Sequence, residues 1–291
     1  MQLFENDHER GAYIFIFIIS LAVLFALLFE LEERAEGRDN PHTVLQALRL
    51  KNVDRIPLGH ININSIRNKI DLLFDMLSSR VDIILISETK IDSTFPKSQC
   101  MMHGYSEPYR LDRTANGGGL LLYVRSDIPT RRLPLVTETV ECIMIEATIS
   151  KKKWLITGAY NPHKSMIANY LTVVEKSLNH YLPSYDNVVI LGDLNSEICE
   201  EDLENFCELY HLKSLIKTPT CFKSNESPTC IDLILTNRQQ SFQNSTTIET
   251  GLSDFHHLTV TVMKTKFKKL PQRKFSTEII KIITQWISAM M

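Results

Sequence analysis

Two short runs, HININS (residues 60–65) and VVILGDLNS (residues 188–196), end apolar stretches on polar side chains two places apart. In an extended strand every second side chain shares a face, so Asn62 and Asn64 point one way, and so do Asp193 and Asn195. The ending recurs along the chain. IILISETK stops at Glu88, LITGAYNP at Tyr160 and Asn161, CIDLILTN carries Asp232 near its start, and GLSDFHHLTV supplies Asp254, His256 and His257. Any one of these alone is an ordinary turn residue or solvated strand end, and Asp193-x-Asn195 suits an Asx-type turn. Together they imply one polar mouth, provided that neighbouring strand ends converge.

Such a mouth holds carboxylates, amides, a phenol and imidazole, with no thiolate cluster. Hard oxygen ligands suit Mg²⁺, with Mn²⁺ as a substitute, better than zinc, and a cation so held is matched to a phosphate oxygen. The chain has neither a Gly-rich loop ending in Lys-Ser/Thr nor a Gly-x-Ser-x-Gly elbow, which excludes P-loop and serine-hydrolase chemistry. Metal-assisted hydrolysis of a phosphodiester by water is the reaction expected.

The elements that must position these groups alternate from Ile56 onward. Buried strands are expected at IPLGHINI, VDIILISE, GGLLLYVRS, VECIMIEATI, KKWLITGAYN, VVILGDL, CIDLILTN and HHLTVTVMK. SIRNKIDLLFDMLSSR spaces Ile66, Ile70, Leu73 and Leu77 as an amphipathic helix that Ser65 can cap. Further helices are expected over residues 164–181 and 201–210. Consecutive strands between residues 119 and 160 imply hairpins. The fold expected is therefore α/β, a sandwich of two mixed sheets with helices outside.

Composition sets the frame. A chain of 291 residues suits one large domain at residues 56–265, with a linker over 39–55 containing one short helix near TVLQALRL. Residues 1–38 carry a charge of −4 and leave about +2 on the rest, which permits a nucleic-acid partner without arguing for one. Gly11 to Phe29 is an uncharged run of 19 residues that would reach roughly 28 Å as a helix, so a single membrane span is expected there. A cleaved signal fits less well, because the residues before the run are acidic. If the span is genuine the protein is a single-pass membrane protein; otherwise it belongs in the nucleus or cytoplasm. Residues 266–291 are read as a basic stretch and a C-terminal amphipathic helix; the run Lys264 to Lys274 has six bases and no acid. The six cysteines form no Cys-x-x-Cys pair, so a reducing compartment is the simpler reading.

With these residues in place, the sequence resembles the endonuclease/exonuclease/phosphatase superfamily, and most nearly the apurinic-like endonuclease domain of non-LTR (LINE-type) retrotransposons. HININSIRNK, IILISETK, RLDRTANGGGLLLYVR, GAYNP, VVILGDLNS, TCIDLILTN and GLSDFHHLTV carry the resemblance, in family order. It implies a DNase I-like four-layer sandwich and a Mg²⁺-dependent nuclease acting on DNA. Asn62, Tyr160, Asp193, Asn195, Asp232 and His256 would be catalytic, and Glu88, with Asn64 or Asp254, would hold the metal. The family motif has His directly after Asp, whereas here Phe255 separates Asp254 from His256. A bulge at Phe255 would restore the register and favours His256 over His257. Arg110 and Arg113, before the Gly117-Gly118-Gly119 turn, are candidates for holding the DNA backbone.

Three readings follow. The first is a retroelement-derived DNA endonuclease that leaves a 3′-hydroxyl and a 5′-phosphate. The second is a membrane-anchored phosphodiesterase or phosphatase acting on lipid headgroups, favoured by residues 11–29. The third is an inactive relic, for which Phe255 is the argument.

Overall fold

In the computed structural model, residues 40–137 and 139–267 are described. Two six-stranded sheets pack face to face. The first runs in the order β11 (Phe242–Ile248), β12 (Leu258–Met263), β1 (Ile56–Asn62), β2 (Ile83–Ser87), β4 (Leu120–Val124), β3 (Tyr109–Leu111). The second runs β5 (Thr130–Leu133), β6 (Glu141–Ile149), β7 (Lys152–Tyr160), β8 (Val188–Asp193), β10 (Asp232–Thr236), β9 (Lys213–Ser214). Each sheet has one parallel pair near its centre, β1 with β2 and β7 with β8, and antiparallel strands around it.

The strand alternation sorts side chains into three apolar layers. Leu58, Leu85, Ile156 and Leu191 point between the sheets with Trp154 and Phe242. Ile84, Ile86 and Leu121 face the other way, under helices α1 (Pro41–Lys51) and α2 (Ile70–Leu77). Leu155, Ile190 and Leu233 pack under α3 (Ile167–Tyr181) and α4 (Glu201–Leu209). The architecture is the expected four-layer α/β sandwich. Because both faces of each sheet are covered, the central strands read as continuous apolar runs.

Several expectations need correction. The helix in SIRNKIDLLFDMLSSR begins only at Ile70, and Ser65 does not cap it. Ser65 and Ile66 instead donate their backbone N–H groups to the carbonyls of Glu88 and Thr89, which ties this loop to the one after β2. The short helix expected near TVLQALRL is α1, and it packs against the domain. Leu45 is buried and Arg49 forms an ion pair with buried Asp82. Strands β3, β5, β9 and β11 add to those expected; β11 has an exposed polar middle. The expected β6–β7 hairpin is present, turning on Ser150 and Lys151 at φ 49° and 67°, the signature of a two-residue primed turn. Among the described residues no helix is long and apolar enough to cross a membrane. The expected span at 11–29 and the expected C-terminal helix lie outside the described residues.

Candidate active site

The centres of the two sheets meet at one edge, where β1 ends in Asn62 and β8 in Asp193. The Asn62 amide spans them, donating to Asp193 Oδ2 at 2.9 Å and to Glu88 Oε1 at 3.3 Å. Register brings the rest alongside: Asp193 lies opposite Tyr160 on β7 and opposite Asp232 on β10. The Tyr160 hydroxyl donates to Glu88 Oε1 at 2.7 Å.

Local backbone explains how these side chains are aimed. Gly192 has φ 151°, and a Cβ there would lie 1.7 Å from the Ala159 carbonyl oxygen, so only glycine precedes Asp193 without displacing β7. Asp193 Oδ1 accepts from the Asn195 backbone N–H at 2.9 Å, and Asn195 Nδ2 donates to Asn161 O at 2.8 Å. The Asx-type turn thus forms on one carboxylate oxygen, and the other accepts from Asn62. Glu88 takes φ 51°, a conformation that costs a glutamate on the order of 1–3 kcal/mol and is held by the Ser65 and Ile66 bonds.

Opposite Asp193 stands the imidazole. His256 Nδ1 is 2.9 Å from Asp232 Oδ2, which also accepts from Thr220 Oγ1 at 2.7 Å. His257 turns away and stacks on Phe222 with ring centroids 4.2 Å apart. Phe255 is not a bulge within the ladder, since β12 begins at Leu258. The extra residue sits in the bend before it, bonded through its carbonyl to the Phe222 N–H at 2.8 Å. Its side chain is 37% exposed at the rim of a cleft of about 400 Å³ lined by Asn62, Glu88, Asp193 and His256.

The charges are set by these contacts. Burial, reinforced by the Asp232 charge, pushes the Asp193 carboxyl up to about 7. For His256, burial opposes the charged form, but the Asp232 hydrogen bond and neighbouring negative charges carry the imidazole up to about 11. Burial likewise opposes the Glu88 charge, yet hydrogen bonds from Tyr160 and Asn62, with Lys90 beside it, leave its pKa below the ordinary value. Burial and Glu88 hold the Tyr160 phenol well above its usual range, so it acts as a donor.

The proposed metal ligands also converge. Asn64 Nδ2 donates to Asp254 Oδ2 at 3.1 Å, and Lys90 Nζ lies 3.3 Å from Glu88 Oε2 while bonding Asn64 Oδ1. An all-oxygen set with an ionised carboxylate, already gathering one positive charge, fits a hard divalent cation. Asp193, Asp232 and His256 also offer ligand atoms within 4.8 Å of one another. There Asp232 Oδ2 is already committed to His256 and Thr220, an arrangement that suits proton chemistry.

Not every candidate comes to the cleft. Arg110 turns inward, bonding Asp112 at 2.6 Å and the carbonyls of Asp92 and Phe95 at 2.6 and 3.0 Å. Arg113 is half-exposed and paired with Glu141 at 2.8 Å. Residues that the sequence reading passed over include Lys90, Thr220 and His60. Lys90 was signalled only by its place two residues after Glu88, and nothing in TPTC marks Thr220.

The chain matches the model of the Endonuclease/Exonuclease/phosphatase family over residues 59–254. Among solved structures it is similar to the 3′-5′ exonuclease NExo from Neisseria meningitidis, at 16% identity and TM-score 0.57, covering 72% of this chain and 99% of that one. An AP endonuclease from Archaeoglobus fulgidus is similar at 16% identity and TM-score 0.54, with the same coverages, 72% and 99%. The endonuclease domain of TRAS1, a telomere-specific non-LTR retrotransposon, is similar at 13% identity and TM-score 0.58, again covering 72% and 99%. At such identities the likeness is one of fold. Among curated proteins none matches the chain.

Proposed function

Because the chain belongs to the endonuclease/exonuclease/phosphatase family, we propose that it is a metal-dependent phosphodiesterase, and specifically a retroelement-derived endonuclease that nicks DNA. The observation that carries the chemistry is the convergence of Asp193 and the Asp232–His256 pair on one cleft, with Asn62 between Asp193 and Glu88. The preference for DNA rests on the stretches NINSIRNK and GGGLLLYVR and on the fold shared with the retrotransposon domain.

Glu88, with Asn64 and Asp254, would hold Mg²⁺ or Mn²⁺. When bound, that cation supplies Lewis-acid neutralisation of a non-bridging phosphate oxygen. Asp193 takes a proton from the attacking water, and its raised pKa makes it a better base than an ordinary carboxylate. Asn62 and Asn195 keep that carboxylate in one orientation. His256, protonated and braced by Asp232, donates a hydrogen bond to the charge that grows on phosphorus-bound oxygen, and Tyr160 contacts the same phosphate. Breaking the P–O3′ bond, with solvent supplying the proton to the departing 3′-oxygen, leaves a 3′-hydroxyl and a 5′-phosphate.

The substrate is tested by incubating the full-length chain with supercoiled plasmid, sphingomyelin and phosphoinositides, each with Mg²⁺ and with EDTA. Nicking of the plasmid alone, with ends that ligase reseals, is the expected result. Cleavage of the lipid headgroups alone would replace DNA with the second substrate class. Folded protein inert on all three would leave a relic.

A further inference from the structure

His60 is a fully buried imidazole in the middle of the apolar strand β1, and none of the roles above uses it. Its Nε2 lies 2.9 Å from Ser87 Oγ on the neighbouring strand. Its Nδ1 lies 3.5 Å from Asp232 Oδ1, across the gap between the sheets. Both Nδ1 and Oδ1 are enclosed, and among the described residues neither makes a hydrogen bond within ordinary limits, so each is left facing the other at this distance. Two orphaned polar atoms that face each other inside a core are rare, because each costs free energy unless paired.

The protonation pattern follows from this geometry. A neutral imidazole has one donor and one acceptor. If Nε2 carried the proton, the Nδ1 lone pair would face a carboxylate oxygen, which is repulsive. With the proton on Nδ1 instead, the Ser87 hydroxyl donates to Nε2 and the Nδ1–H is aimed at Asp232 Oδ1. Burial, only partly offset by Asp232, takes this imidazole down to about 4, so the neutral form holds at physiological pH. Asp232 has its other oxygen, Oδ2, occupied by Thr220 and His256. Oδ1 has only His60.

We propose that His60 is a positioning residue for this site: its Nδ1–H, oriented by Ser87, fixes Asp232 Oδ1 and so keeps Oδ2 aimed at His256. The relay runs Ser87 to His60 to Asp232 to His256 and joins β2 and β1 of one sheet to β10 of the other. It rests on the proposed reading only in taking the Asp232–His256 pair to serve turnover.

The test compares full-length His60→Phe and His60→Asn with the wild type. The Asn amide can place an N–H near the Nδ1 position, whereas Phe fills the volume with no donor. Plasmid nicking by H60F is expected to lose about tenfold or more in kcat with KM unchanged, the scale of one buried hydrogen bond to a charged group, and H60N to recover most of it. Proton–nitrogen NMR of the His256 ring reads the contact directly. The downfield Nδ1 proton bonded to Asp232 is expected in the wild type and H60N and absent in H60F. That signal does not need turnover, so a chain that nicks nothing still decides the point, and failure of the nuclease reading is told apart from failure of this one. An intact resonance in H60F would overturn the proposal, as would equal loss in H60N and H60F. If H60F does not fold, Ser87→Ala takes its place. Freed of its donor, His60 should let the His256 proton resonance broaden, and an unchanged resonance would overturn the relay.

Discussion

The Asn62 side chain on β1 and the Asp193 carboxylate on β8 belong to different sheets, yet a 2.9 Å hydrogen bond joins them. The same amide nitrogen reaches Glu88. One residue therefore sets the spacing between the proposed base and the proposed metal ligand. Asn62→Ala should lower nicking by about 10²-fold, the scale of losing an aligned donor. Asn62→Asp should lower it further, because it sets a third carboxylate between two others. Rates measured beside thermal unfolding check that the loss is catalytic; equal rates for the two variants would contradict the geometry.

Asp193 works as a base only when ionised, and its carboxyl is pushed up to about 7. Nicking should therefore climb with unit slope as pH rises through about 7 and then level off, since His256, at about 11, stays protonated well beyond. The Asn62 hydrogen bond favours the ionised form of Asp193, so its loss in N62A should move the rising limb to higher pH. A pH–rate profile on both proteins measures this, and a flat profile between about pH 5 and 9 would oppose it.

Phe255, the residue that departs from the family motif, lies at the rim and leaves the His256–Asp232 contact at 2.9 Å. Phe255→Ala should change stability by no more than about 0.5 kcal/mol, as expected for a partly exposed side chain away from the core. It should also retain nicking. His256→Ala should abolish nicking, and His257→Ala should not. Activity that survived H256A and fell with H257A would reverse the assignment.

Arg110 and Arg113 are predicted to separate. Arg110→Ala leaves the Phe95 carbonyl without its donor and the Asp92 carbonyl with only the Phe95 N–H, so it should destabilise the fold by about 2 kcal/mol in denaturant titration. It should leave the salt dependence of DNA binding unchanged. Arg113→Ala should spare stability and lower the salt slope by about one if its side chain meets a phosphate.

How much of this was legible in the sequence depends on whether a group ends a strand. Asn62, Glu88, Tyr160 and Asp193 could be read because each closes a long apolar run, where a polar side chain has no packing role. His60 could not, since it sits inside such a run and its partners, Ser87 and Asp232, come from strands 27 and 172 residues further along. Edge strands such as β11 escaped because an exposed face lets them be polar. The early start expected for α2 failed for a different reason. Ile66 fits the helical spacing, but the N–H groups of Ser65 and Ile66 are spent on the Glu88 loop. Arg110 reads as exposed because its charge lies near a Gly-rich turn, and only the folded loop at residues 92–95 supplies the carbonyls that draw it inward.

In the proposed reaction this cleft hydrolyses phosphodiesters with a metal held by Glu88 and a base at Asp193. The most direct measurement is the rate of plasmid nicking by the full-length chain with Mg²⁺, beside Glu88→Gln and Asp193→Asn. Metal-dependent nicking is expected, falling by about 10³-fold or more in each variant while both keep the wild-type melting temperature. Nicking that persisted in folded D193N and E88Q would place the chemistry elsewhere and contradict it.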